Sequence, residues 1–94
     1  MKDDTNSFRI AIISLIVEHQ DSAIKINEIL HQYGSHIIGR MGIPCPNRGL
    51  NLISIAVDAK QEIISALSGK LGSINGVTAK TLYSKSGGNN ESNL

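Results

Sequence analysis

The sequence predicts an α+β domain: a four-stranded antiparallel sheet with two helices on one face. Two runs, Phe8–Val17 and Leu50–Val57, are rich in β-branched residues and apolar on both alternating sides, the pattern of central strands. Two other segments carry apolar residues at helical spacing. Turn signals divide the chain so that the order reads β-α-β-β-α-β.

In the first strand, Phe8, Ile10, Ile12 and Ile16 lie on one face, and Ala11, Ile13, Leu15 and Val17 on the other. Asp21 is placed to cap a helix over residues 22–33. Ile26, Ile29, Leu30 and Tyr33 form the apolar stripe of that helix, and Gly34 is a natural residue to end it. His36–Gly42 reads as a second strand weakened by Gly39 and Gly42. The segment Ile43–Gly49 reads as a loop, because Pro44 and Pro46 cannot donate to a sheet ladder.

The third strand sets Leu50, Leu52 and Ala56 against Ile53, Ile55 and Val57. A second helix is expected from Asp58 or Ala59, with Ile63, Ile64, Leu67 and Leu71 as its stripe. Asn75-Gly76 marks a turn and Val77–Tyr83 a last strand. This is the ferredoxin-like arrangement, in which right-handed crossovers place both helices on one side of the sheet.

The other side keeps aliphatic residues from both central strands. A bare patch of that kind in water is costly, so a homo-oligomer, dimer or tetramer, is expected. The domain is expected over residues 8–84, with polar tails at 1–7 and 85–94 whose composition favours flexibility and disorder.

Composition narrows the function classes. The chain has 94 residues, 40% of them hydrophobic, and a formal net charge of +1. No basic stripe is present, so no direct nucleic-acid binding is expected. Cys45 is the single cysteine, which excludes an internal disulfide. The polar, acidic start is unlike a signal peptide, and the longest apolar stretch, Ile10–Val17, is too short to span a bilayer. These features predict a cytoplasmic protein with no membrane partner.

Candidate sites follow from chemistry. Arg40 and Arg48 flank the Met-Gly-Ile-Pro stretch and offer planar forks for a carboxylate or phosphate. Gly39, Gly42 and Gly49 would let a ligand approach the backbone; equally, they serve bulges and turns. Asp21 and Ser22 stand at a helix N-terminus, where backbone N–H groups attract anions and where both residues also act as caps.

His31, His36 and Cys45 are the metal-ligating residue types, but their spacing includes none of the close pairs usual in a metal site. His19 follows the first strand. Cys45 lies between two prolines with Arg40 and Arg48 nearby, so a small thiol enzyme is a further reading. Gly69-Lys70-Leu71-Gly72 lacks the spacing of a phosphate loop, and no nucleophile elbow or zinc-protease helix occurs. A non-catalytic role is therefore expected. No cofactor is indicated.

Several stretches together resemble a known family: Val17-Glu18, Asn27-Glu28-Ile29-Leu30-His31, Ile38-Gly39-Arg40-Met41-Gly42-Ile43-Pro44, Arg48-Gly49-Leu50 and Ile53-Ser54. They look like the iron-only hydrogenase system regulators, small domains with an ACT-like fold, similar to the C-terminal regulatory domain of nickel-responsive repressors. Gly39–Pro44 is the most specific part.

The resemblance implies a regulatory domain that assembles through its sheets, binds a small effector beside the Asp21 turn against a neighbouring subunit, and acts on a partner protein. The chain departs from the nickel repressors in having no DNA-binding segment and no close His-x-His followed by Cys.

Overall fold

The structure, a computed structural model, describes residues 8–85. The expected tails at 1–7 and 85–94 lie outside the described residues, apart from Lys85. In chain order the elements are β1 (Phe8–Val17), α1 (Ser22–Gln32), β2 (Ile37–Cys45), β3 (Leu50–Lys60), α2 (Gln61–Gly72) and β4 (Val77–Tyr83). Short 3-10 turns, Gly34–His36 and Pro46–Arg48, precede and follow β2. The strand order across the sheet is β2-β3-β1-β4, and every neighbouring pair is antiparallel. This is the ferredoxin-like α+β fold.

Cross-strand partners share a face, so the register decides which residues meet the helices. Ala11 pairs with Val57, Ile13 with Ile55, and Val17 with both Asn51 and Val77. Ala11, Ile13, Leu15 and Val17 of β1 therefore join Ile55, Val57 and Ala59 beneath the helices, all buried. Ile26 and Leu30 of α1 and Ile64, Leu67 and Leu71 of α2 complete the core. Their spacing of three, four and seven residues brings each set onto one helix face.

Arg9 fastens the end of the sheet near the β1 start. Its guanidinium donates to Gln61 Oε1 and to the Ser84 carbonyl, each at 3.0 Å, and lies 4.6 Å from the centre of the Tyr83 ring.

Three boundaries differ from the sequence expectation. β2 continues through Ile43-Pro44-Cys45, which was expected to be loop. β2 is an edge strand, so the missing N–H of Pro44 can face away from β3 at no cost to the ladder. β3 runs on to Lys60, and α2 starts at Gln61, because Asp58 and Ala59 continue the alternation opposite Ile10 and Arg9. Gly34 does not take a left-handed conformation; α1 passes directly into a 3-10 turn. The Asn75-Gly76 turn does form, with Gly76 at φ 81°.

The even-numbered residues of β1 face away from the helices. Ile10, Ile12 and Ile16 are exposed there. Across the sheet from them, Met41 and Ile43 of β2 and Leu82 of β4 share that face and are exposed as well.

Candidate functional site

Val17 lies opposite both Asn51 and Val77, and Cys45 lies opposite Leu50. The β1–α1 turn, the β2–β3 hairpin tip and the α2–β4 turn therefore gather at one end of the sheet. Asp21, Ser22, Cys45 and Arg48 all stand at this end. His31 and His36 stand at the far end of α1.

The β1–α1 turn is built from successive backbone bonds. Ser22 N donates to His19 O at 3.0 Å and Ala23 N to Gln20 O at 3.1 Å. These carbonyls satisfy the helix N–H groups that Asp21 was expected to cap, and Asp21 makes no side-chain cap bond. Ser22 is buried, and its hydroxyl donates to the Asn75 carbonyl at 2.6 Å. The capping reading of Asp21 and Ser22 is thus corrected: Ser22 ties α1 to the α2–β4 turn. The His19 ring occupies the space that a side chain on Gly76 would need.

Two small grooves open beside this turn. One, of 220 Å³, is lined by His19, Asp21, Ser22, Lys25, Ile74 and Asn75, with opposite charges on its rim. The second, also of 220 Å³, lies under the β2–β3 hairpin, where Arg40, Gly42 and Pro44 meet Val17, Ala23 and Ile26. An apolar wall with one guanidinium suits a small ligand with an apolar body and an anionic group.

Arg40 is held at its place by α1. It donates to Asn27 Oδ1 at 3.1 Å. It also borders a 440 Å³ groove with Asn27, His31 and Gly34. Asn27 and Lys25 were not singled out from the sequence as site residues; only helical spacing from Ser22 could have placed them on the rim.

Arg48 closes the Pro46–Arg48 turn, and Gly49 takes the left-handed conformation there at φ 71°. About 16 Å of strand separates Arg40 from Cys45, where that turn begins. The two arginines thus stand on different parts of the hairpin, and they flank a strand where a loop was expected. Gly39 and Gly42 have open space where a side chain would be.

The fold does not bring His31, His36 and Cys45 together: β2 sets about 26 Å between the His36 turn and Cys45. Among the described residues, no group of three or more His, Cys, Asp or Glu is placed to hold a metal ion. Among them, too, no helix is long and apolar enough to cross a membrane.

A single four-stranded sheet with grooves at its β1–α1 end defines a small α+β domain of the ferredoxin-like class. The chain belongs to the TM1266-like family, described as "Iron-only hydrogenase system regulator, putative", whose model matches residues 9–81. Among solved structures it is similar to uncharacterized protein TM1266 from Thermotoga maritima, with 33% identity and a TM-score of 0.79. That likeness covers 83% of this chain and 99% of the other. No curated protein matches.

Proposed function

We propose that this chain is a cytoplasmic, oligomeric ACT-like regulatory domain that binds a small effector and passes a change of assembly to a partner protein. One observation carries the reading. Ile10, Ile12, Ile16, Met41, Ile43 and Leu82 are 40–71% exposed on one continuous sheet face. With Phe8, which is 54% exposed, they form an apolar surface of the kind that marks an interaction site when left uncovered in water. Membership of a regulator family supports a regulatory role over a catalytic one.

The effector site would use the two grooves beside the β1–α1 turn. Asp21 and Ser22 border one, and Arg40 and Gly42 the other, with Gly39 and Arg48 at the adjoining strand and hairpin tip. Arg40 supplies the fork for an anionic group. An effector that binds one assembly better than another shifts the equilibrium between them by its difference in affinity.

Native mass spectrometry of the purified protein tests both parts. A dimer or tetramer is expected, with any retained effector visible as added mass. Arg40→Ala and Arg48→Ala should weaken retention of that mass. A monomer at micromolar concentration would overturn the oligomeric reading. Unchanged effector affinity in the double variant would overturn the pocket.

A further inference from the structure

Arg40 stands between two grooves and is the one residue they share. The hairpin groove lies on its Gly42 side. The other, of 440 Å³, follows the second half of α1 and is lined by Asn27, Leu30, His31, Gly34, Ile37 and Arg40. Its size suits a small molecule. At the helical rise, His31 stands about 15 Å along α1 from Asp21, so this groove is remote from the β1–α1 turn.

Three observations give the groove its chemistry. First, polar side chains converge on it. Asn27 and His31 are one turn apart and share a face of α1. Arg40 reaches that face from β2, because its place opposite buried Ile55 puts it on the helix side of the sheet. Arg40 Nη2 donates to Asn27 Oδ1 at 3.1 Å. That bond uses one of the five guanidinium N–H groups and fixes the direction of the rest, and it leaves the Asn27 amide nitrogen to donate elsewhere.

Second, the lining holds no carboxylate. Among the described residues that form it, Arg40 alone carries a fixed charge. Asp21 and Glu28 border other grooves. The carbonyls of Ile29, Leu30 and His31, which would repel an anion near the end of α1, accept backbone N–H groups there. Third, Leu30 and Ile37 add apolar surface, and Gly34 keeps the wall open. Gly34 has no positive φ and no atom within 4 Å of where a Cβ would sit, so neither turn geometry nor packing requires glycine there.

The geometry points to an oxyanion site in this groove: Arg40, Asn27 and His31 hold the carboxylate or phosphoryl group of a small molecule whose short apolar body rests on Leu30 and Ile37. The guanidinium supplies the charge and a planar fork. Asn27 orients that fork and adds its amide donor, and His31 adds a ring N–H. The site shares only Arg40 with the grooves at the β1–α1 turn and does not depend on the effector reading above.

Nuclear magnetic resonance titration of the full chain, read at backbone amides, tests the site. The probes are isovalerate, inorganic phosphate and isoamylamine, which sets a cation on the same aliphatic body as isovalerate. Saturable shifts at Asn27, His31 and Gly34 are expected with isovalerate or phosphate, at millimolar affinity, and none with the amine. The tighter of the two anions identifies the group as carboxylate or phosphoryl. Arg40→Ala and Gly34→Leu should each lower the affinity at least about tenfold, the first by removing the charge and the second by filling the groove. An unchanged circular dichroism spectrum shows that both variants fold.

The site is overturned if neither anion gives saturable shifts, if the amine binds as well, or if Gly34→Leu keeps full affinity. Shifts at Ala23 and Gly42 in place of His31 and Gly34 would also overturn it, and would place the anion in the hairpin groove of the effector reading.

Discussion

The Ser22 hydroxyl donates to the Asn75 carbonyl at 2.6 Å, across 53 residues of sequence. The bond joins the first turn of α1 to the turn that starts β4, and Ser22 is only 5% exposed. Ser22→Ala leaves the Asn75 carbonyl without this partner in a part-buried place. Urea denaturation should show a loss of about 1–2 kcal/mol, the usual cost of an unsatisfied acceptor. A loss within error of zero would mean that water replaces the hydroxyl freely.

His19 and Gly76 form a second tie between the same turns. Gly76 has φ 81°, and a Cβ there would run into the His19 ring. Gly76→Ala should therefore destabilise through both the left-handed backbone and the collision, by about 1–3 kcal/mol. Adding His19→Ala removes the collision alone. The double variant should recover part of the loss, and a double-mutant cycle reads the coupling directly. Strict additivity would show that the ring moves aside at no cost.

Arg9 makes two hydrogen bonds and stacks on Tyr83, joining the β1 start to α2 and to the end of β4. Arg9→Ala should cost about 1–2 kcal/mol in a thermal or urea melt. Arg9→Lys should recover only the packing of the stem, since an ammonium has no planar fork to reach Gln61 and Ser84 together. Full rescue by lysine would reduce the clamp to a simple charge.

Ile12 and Ile13 are neighbours in sequence with opposite roles. Ile13 is fully buried and Ile12 is 40% exposed on the outer face. Ile13→Ala should cost about 2–5 kcal/mol of protomer stability. Ile12→Ser should leave the protomer folded but weaken the assembly, seen as a shift toward monomer in sedimentation velocity. An unshifted distribution would remove the outer face from the interface.

The strand runs were legible in the sequence because alternation has only one geometric outcome in a sheet. From Phe8 to Val17 it fixed which residues point to the helices, and the same holds for Ile55 and Val57. Helical spacing likewise identified Ile26 and Leu30, and Ile64, Leu67 and Leu71. The family was legible too, through the Gly39–Pro44 stretch.

Tertiary structure decided what local pattern cannot carry. Pro44 looked like a strand breaker, and only the position of β2 at the sheet edge made it acceptable there. Asp21 looked like a cap, but carbonyls of its own turn took that place. Ser22 found its partner in Asn75 and Arg40 in Asn27, pairings set by how the chain returns on itself. Arg40 and Arg48, close in sequence, were spread by the length of an extended strand. Sequence alone thus determined faces, because periodicity is local. Partners and edges were left to the fold, because they depend on which strands end up side by side.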